Sequence, residues 1–502
     1  MLIYEIISQI TPSLVLLVFL GALGGLLVGS IPGLSVTMAT AILVTVTYTW
    51  SIENAIALIM GLYVAGVFSG AVAAILINIP GAPAAIITKL DGYPMAQKGR
   101  AAEALWIATF QSFVGSLIGI LLLTVFARPL TAVALEFSPM DYFLISLFGL
   151  TTVGSLTSDN YVKGLMSAGL GLFLSTIGRD AIMGTARFTF GITGLQAGVS
   201  LIPALIGLFG FTEVLTQIYR GSYASIATST GNIKPSFKGV MKHLPLSIKS
   251  SVIGTFIGAL PGCGGPVAAL ISYDQAKKST DNPSSPFGEG AEEGIVASEA
   301  ANNACVGGAL VPMLTLGIPG DAVTAVFLAA FMVHGLRPGP LLFSESPELF
   351  HIIIAGGIIG SISMLILGIT IVPRLSRIVL VPKKILLPLV TVLCVIGAYG
   401  VNSSLFDVLT MLVVGLLGFF LKAGNYPIAP IVLALVLGDI MDPSFRRAFS
   451  YQPSLMRMFL SIFTRPISLV LFVMILASVF SGFGKMRDIL GWFKARLKFI
   501  GG

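Results

Sequence analysis

The chain has 502 residues, of which 55% are apolar and only 10% charged, with a mean hydropathy of +0.96. An ordinary soluble domain carries about 25% charged residues, so this balance excludes one and describes a polytopic membrane protein. The net charge of +7 does not argue for nucleic acid, because the bases lie in short loops beside apolar runs, the placement the positive-inside rule explains.

At the N-terminus, residues 1–9 have no positive region and contain Glu5, so the first apolar stretch is expected to be a retained helix rather than a cleaved signal. Runs long enough to span, about 17 to 25 residues, follow at 12–30, 54–78, 102–127, 196–219, 349–372 and 466–483. Shorter stretches lie between them. The expected fold class is therefore an all-α integral membrane protein of about twelve transmembrane segments, several of them broken or re-entrant. Basic clusters at 220–249, 374–384, 446–465 and 485–498 are expected in the cytoplasm, whereas 344–348 and 402–407 lack bases and fit the outer side. The basic loop holding Lys89, Lys98 and Arg100 follows a broken segment and need not obey that rule.

Four Pro-Gly breaks interrupt the apolar runs, at Pro32-Gly33, Pro80-Gly81, Pro261-Gly262 and Pro319-Gly320. A displacement of 229 positions sets Gly25, Gly29, Pro32 and Gly33 on Gly254, Gly258, Pro261 and Gly262, and one of 239 sets Ile79, Pro80 and Gly81 on Ile318, Pro319 and Gly320. The chain thus reads as two repeats, 1–219 and 250–484, joined by a basic linker at 220–249 and followed by a basic tail at 485–502. The segment count does not fix the relative orientation of the copies, and inverted repeats, common among secondary transporters, are the expectation.

In hydrocarbon an unpaired backbone group costs several kcal/mol, so a helix breaks only where protein, water or a ligand satisfies the freed groups. The N-terminal ends at a break suit a carboxylate, and the free carbonyls suit a cation. Ser35, Asn78, Thr88, Asn302, Asn303, Thr315, Asp321 and Thr324 flank these breaks. Short hydroxyls and amides are the neutral oxygen donors that a dehydrated Na⁺ needs, and an intramembrane carboxylate such as Asp321 is costly and usually functional. Plainer readings stand beside these. The GxxxG series at Gly21, Gly25 and Gly29 is a close-packing face. Asn302 and Asn303 are equally readable as interhelical glue, Glu299 as a cap or an ion-pair partner of Lys277 or Lys278 and equally as an ion ligand, and Lys89 with Asp91 as a surface pair or, alternatively, an entrance charge for an anion. His334 and the three cysteines, Cys263, Cys305 and Cys394, read as packing residues; no metal-ligand spacing or CxxC is present.

The stretches NIPGAPAAIITKLDGYPMAQKGRAAEAL (78–105), PGCGGPVAALISYDQAKK (261–278), FGEGAEEGIVASEAANNACVGGALVPMLTLGIPGDAVTAV (287–326) and HGLRPGPLLF (334–343) resemble the large membrane subunit of the tripartite tricarboxylate transporters, the TctA family. The resemblance runs from the first glycine-rich helix to about Asp442. It implies a permease that works with a small membrane subunit of about four helices and a periplasmic solute-binding protein, and that takes up organic carboxylates by cation coupling without ATP. The family's motif loops fall on Ser35, Asn78, Pro80, Gly81, Pro83, Thr88, Asp91, Pro261, Gly262, Gly264, Asn302, Asn303, Thr315, Pro319, Gly320 and Asp321. Cys263 departs from the small residues expected in its loop.

The substrate carboxylate is accordingly expected at Ser35, Asn78, Gly81, Pro83, Thr88, Gly262, Gly264 and Gly320. The coupling ion, with Na⁺ the first expectation, is assigned to Asn302, Asn303, Thr315, Asp321 and Thr324. No other cofactor and no enzymatic activity are expected: HExxH, a Ser-His pair and a GxxxxGK[ST] loop are all missing from the sequence. The setting is a bacterial inner membrane, with lipid as a partner. An anion channel or a non-transporting assembly subunit is the alternative.

Overall fold

Long apolar runs that must satisfy every backbone group internally fold as helices, and helices are almost the only regular structure among the described residues of the computed structural model. It describes residues 2–31, 34–156, 161–180, 182–220, 236–336, 338–375, 383–452 and 454–480. The Pro32-Gly33 break, half of the 220–249 linker (221–235), part of the 374–384 cluster and the 485–502 tail lie outside the described residues.

In chain order the helices used below are α1 (Pro12–Ser30), α2 (Val36–Val46), α3 (Ile52–Ile77), α4 (Ala85–Met95), α5 (Ala101–Ala134), α6 (Pro139–Leu156), α7 (Tyr161–Ser175), α8 (Leu244–Gly258), α9 (Gly264–Ser279), α10 (Glu292–Leu316), α11 (Ala322–Val333), α12 (Pro347–Thr370) and α13 (Ala429–Ser450). Among the described residues the strands are one two-residue pair, Gly178–Arg179 with Ala186–Arg187. Local chemistry sets the helix starts. Thr11 accepts a hydrogen bond from the Leu14 N–H at 3.2 Å ahead of Pro12, and Ser35 accepts one from the Met38 N–H at 3.0 Å, so both are side-chain N-caps.

Among the described residues, six helical stretches are long and apolar enough to cross a membrane: Pro12–Ser30, Ile52–Ile77, Ala85–Ala134, Leu201–Tyr219, Pro347–Thr370 and Leu405–Ala423. A seventh is added if Leu455–Thr464 and Pro466–Phe480, bent by 98°, form one span. Val36–Val46, Leu244–Gly258 and Ala322–Val333 are apolar but too short to cross alone, and each adjoins a break.

Contacts divide the chain into two units. The first comprises Met1–Ala132, Ile202–Leu260 and Gly264–Phe419. In it α3, 26 residues long, and α10, 25 residues long, are buried almost throughout, α3 against α1 and α12, α10 against α8 and α9. The two pairings share their contacts. A Cβ on Gly25 of α1 would collide with the Leu62 carbonyl, and one on Gly254 of α8 with the Ala301 carbonyl. One on Gly29 would lie 2.8 Å from the Gly66 carbonyl, and one on Gly258 2.7 Å from the Cys305 carbonyl. Gly25 and Gly254 are 229 apart, and Leu62 and Ala301 are 239 apart, so the sequence offsets reappear as equivalent contacts. Close approach of this kind stabilises helix pairs through packing and Cα–H···O contacts.

The second unit comprises Val133–Leu201, Pro261–Cys263 and Phe420–Gly502. Within it α13 packs on α6 and α7, with Gly171 set against the Ile431 carbonyl. The short strand pair is pinned to α13 by Arg187 on Asp442 at 2.9 Å and Arg446 on Asp180 at 2.5 Å. The N–H groups of Met183 and Ile182 donate to Asp180 and hold its carboxyl below the usual range.

Candidate functional site

Both long buried helices of the first unit end in a left-handed residue, α3 at Asn78 (φ 60°) and α10 at Gly317 (φ 72°). After each, a proline and a glycine carry the chain back toward its own repeat. The Gly81 N–H donates to the Gly70 carbonyl at 3.2 Å, and a Cβ on Gly81 would collide with the Gly29 carbonyl and stand 2.9 Å from Gly70 Cα. A Cβ on Gly320 would stand 2.7 Å from the Gly258 carbonyl and 2.5 Å from Ala309 Cα. Only glycine fits either place without displacing backbone.

The short helices that follow begin differently. Asp321 caps α11 through a capping box: its Oδ1 accepts from the Thr324 N–H at 2.8 Å, while the Asp321 N–H donates to Thr324 Oγ1 at 2.8 Å. Its other oxygen accepts the hydroxyl of Tyr63, a wholly buried residue of α3, at 2.6 Å. No side chain caps α4, whose N-cap is Ala84.

Asn302 of α10 donates to the Val67 carbonyl at 3.4 Å, one turn along α3 from Tyr63. A Cβ on Gly264, itself left-handed, would lie 3.5 Å from Asp321 Cβ, and one on Gly265 would collide with Asn302 Oδ1 and come within 3.5 Å of Ala84 Cβ. The starts of α4, α9 and α11 and the middles of α3 and α10 therefore converge on one small region.

A second polar cluster surrounds Glu299. Its carboxylate is fully buried, with Thr88 against one oxygen and the Ser112 hydroxyl 2.9 Å from the other. Thr88 is 3.1 Å from Ser298 Oγ, and Asn303 donates to Ser112 Oγ at 2.8 Å. Lys278 binds Asp274 at 2.6 Å, so the ion-pair reading of Glu299 is replaced by one with neutral partners.

Asp91 also differs from its reading as a surface mate of Lys89. It is buried, accepts from the N–H groups of Gly288, Gly290 and Ala291 at 2.8, 3.0 and 2.8 Å and from the Tyr273 hydroxyl at 2.8 Å. It anchors the loop between α9 and α10. At the head of α10, Glu292 meets Arg100 at 2.7 Å, Lys242 at 2.8 Å and His243 at 3.1 Å. The hydrogen bond to His243, then those from Lys242 and Arg100, hold its carboxyl well below the usual range.

The structure thus brings Gly264, Asn302, Asp321 and Thr324 to one place, with Gly81 and Gly320 as the close-packed turns beside it. Asn303 and Thr315 make their hydrogen bonds elsewhere, Thr315 to the Val311 carbonyl at 2.8 Å. Thr88 joins the Glu299 cluster, and Ser35 is a helix cap. Asn78 and Pro83 are exposed, and Gly262 is a left-handed turn residue (φ 77°) grouped with the second unit. Tyr63, Ser112 and Ser298 were not among the expected residues. Tyr63 had a signal, since the 239-residue displacement sets it on Asn302.

A family model, the tripartite tricarboxylate transporter TctA family, matches residues 15–433. The chain is 35% identical over 442 residues to an uncharacterized 52.8 kDa protein in the TAR-I ttuC′ 3′ region of Agrobacterium vitis, covering 88% of each chain. It is 38% identical over 196 residues to an uncharacterized protein in the TAR-II ttuC′ 3′ region of the same organism, covering 39% of this chain and 80% of that one. No solved structure matches. With its apolar helices and this match over most of its length, the chain belongs to the TctA family, as a multi-pass membrane subunit of a tripartite tricarboxylate transporter.

Proposed function

We propose that the chain is the permease of a binding-protein-dependent secondary transporter, importing small di- or tricarboxylates across the bacterial inner membrane on a Na⁺ or proton gradient. A periplasmic binding protein delivers the substrate, and a small membrane subunit of about four helices completes the complex in the lipid. The observation that carries this reading is the convergence of two equivalently packed breaks whose polar groups differ. At the first, α4 starts without a side-chain cap, and its amide end is suited to a carboxylate. Gly81 and Pro83 shape the turn ahead of it, and Gly264 and Gly320 form the close-packed turns of the second copy. At the second, Asp321 with Thr324 and Asn302 offers anionic and neutral oxygens to a cation, the chemistry that Na⁺ prefers. Asn303 and Thr315 stand farther out in this scheme.

The two copies act as inverted halves, and movement of one part past the other exposes the site alternately. Sealed vesicles holding the chain with its partners test the proposal, with citrate as the probe. Accumulation above equilibrium that collapses when the Na⁺ and proton gradients are dissipated is the expected result. Uptake that only equilibrates, indifferent to either gradient, would establish a channel instead.

A further inference from the structure

We propose that Glu299 is a proton-binding site, protonated in this structure and deprotonated at another stage of the transport cycle. The inference rests on the permease reading for its role in transport, but its chemical part stands on hydrogen-bond geometry and burial. Thr88 has one hydroxyl hydrogen and two oxygens within reach, Glu299 Oε1 and Ser298 Oγ. Ser298 gives its own hydrogen to the Gly294 carbonyl at 2.8 Å, with the Ile295 carbonyl 3.2 Å away, and accepts from Thr88.

On the other side, Asn303 donates to Ser112 Oγ at 2.8 Å, which leaves Ser112 to donate to Glu299 Oε2 at 2.9 Å. One hydrogen placed on Oε1 completes a single directed chain. It runs from the Asn303 amide through Ser112 to Oε2, and from Oε1–H through Thr88 and Ser298 to the Gly294 carbonyl. Each hydroxyl then donates once and accepts once, within the capacity of these groups. Without that hydrogen Thr88 must turn to the carboxylate, and Ser298 loses its donor.

Charge makes the same argument. Glu299 is 0% exposed, and an uncompensated buried carboxylate costs several kcal/mol. Among the described residues, no charged side chain on the packed helices pairs with Glu299. Asp91 of α4 binds Tyr273 of α9 and loop amides. Tyr63 of α3 donates to Asp321. Glu292 at the head of α10 is held by Arg100, Lys242 and His243, and Glu293 by Ser284. Lys89 follows Thr88 on α4, and among the described residues no lysine, arginine or histidine pairs with Glu299. Release is a proton transfer: the Oε1–H bond breaks, its electron pair stays on the carboxylate, and the proton passes to water reaching the site.

The cluster joins α4, the helix after the first break, to α10, the helix before the second. Loss of the proton turns the Thr88 hydroxyl and changes what holds these two helices together, which makes proton occupancy a means of biasing one conformation over another.

Two measurements test this. In the purified full-length chain in lipid nanodiscs near neutral pH, infrared absorption should contain a protonated carboxyl C=O band that disappears in Glu299→Gln. Identical spectra would overturn the protonation. Should that variant fail to fold, Thr88→Val removes the acceptor of the Oε1 hydrogen and should shift the same band; an unshifted band would count against the proposal. In vesicles containing the complete complex, an inward proton gradient should accelerate citrate uptake by the wild type and not by Glu299→Gln. A band without any gradient effect in the wild type would overturn the coupling. Failure of citrate to move in any variant would count against the permease reading while the infrared result still decides the proton.

Discussion

The two breaks of the first unit share a scaffold and differ in chemistry. Gly81 and Gly320 press on the same atoms of their own repeats, the carbonyls of Gly29 and Gly258 and the Cα atoms of Gly70 and Ala309. Yet Asp321, which caps the helix after the second break, corresponds in the first to Ala82, and α4 has no side-chain cap. One break thus closes its amide end with its own carboxylate, whereas the other leaves that end to be met from outside. Under the proposed function, that one difference separates a place for an anion from a place for a cation.

The largest expected effect breaks the shared scaffold. Gly81→Ala and Gly320→Ala each force a Cβ into backbone that cannot yield as a side chain would, and overpacking costs about 3 kcal/mol. Both variants should lose folded, monodisperse protein in detergent or melt well below the wild type. Gly24→Ala is the control, because a Cβ there meets nothing within 4 Å. Equal melting of Gly320→Ala and Gly24→Ala would dissolve the equivalence.

Next comes the chemical difference. Asp321→Ala removes a cap, at about 1 kcal/mol, and leaves the buried Tyr63 hydroxyl without its acceptor, at about 1 to 3 kcal/mol more. Asp321→Asn keeps the cap and should recover most of that stability in thermal unfolding. Both should raise severalfold the cation concentration needed for half-maximal uptake. The converse variant, Ala82→Asp, places a carboxylate at the first break and should raise the KM for citrate while leaving cation dependence alone. A change in cation dependence instead would reverse the assignment of the two breaks.

Much of this scaffold is legible in the sequence because it depends on period and punctuation. The expected runs at 12–30, 54–78 and 349–372 become Pro12–Ser30, Ile52–Ile77 and Pro347–Thr370, since apolar length and Pro-Gly stops act locally. The offsets 229 and 239 reappear as glycine contacts because close helix approach leaves no room for a Cβ. What the sequence hides are partners made across the fold. Glu299 faces Thr88 and Ser112, 211 and 187 residues away, and Asp91 faces a loop 197 to 200 residues on. Neither pairing has a local signature, so both carboxylates read as members of nearby ion pairs. Asn302 and Asn303 show the same limit: successive helix residues point about 100° apart, and one turns to α3 while the other turns to α5.

A smaller effect concerns the left-handed ends. Asn78 holds φ 60° where the second copy has Gly317 at φ 72°. A side chain there without the amide's tolerance costs about 1 kcal/mol. Asn78→Ala should therefore melt slightly lower, and Asn78→Gly should match the wild type in both stability and uptake. Loss of uptake in Asn78→Gly with stability intact would show that the amide touches the transported solute.

The smallest effect compares the starts of the two long helices. The 239-residue displacement sets Glu53 of α3 on Glu292 of α10. Glu292 bonds Arg100, Lys242 and His243, whereas Glu53 has no ion pair among the described residues. Because these partners depress the folded pKa of Glu292, its stabilisation is fully present above the ordinary carboxylate value of about 4.3 and is lost as pH falls through the depressed value. Arg100 and Lys242 are partly exposed, which limits the contribution to about 1 kcal/mol or less. Thermal midpoints measured from pH 7 downward should fall less steeply in Glu292→Gln than in the wild type, while Glu53→Gln should follow the wild-type curve. Parallel curves for all three would mean that the cluster at the head of α10 adds no acid sensitivity.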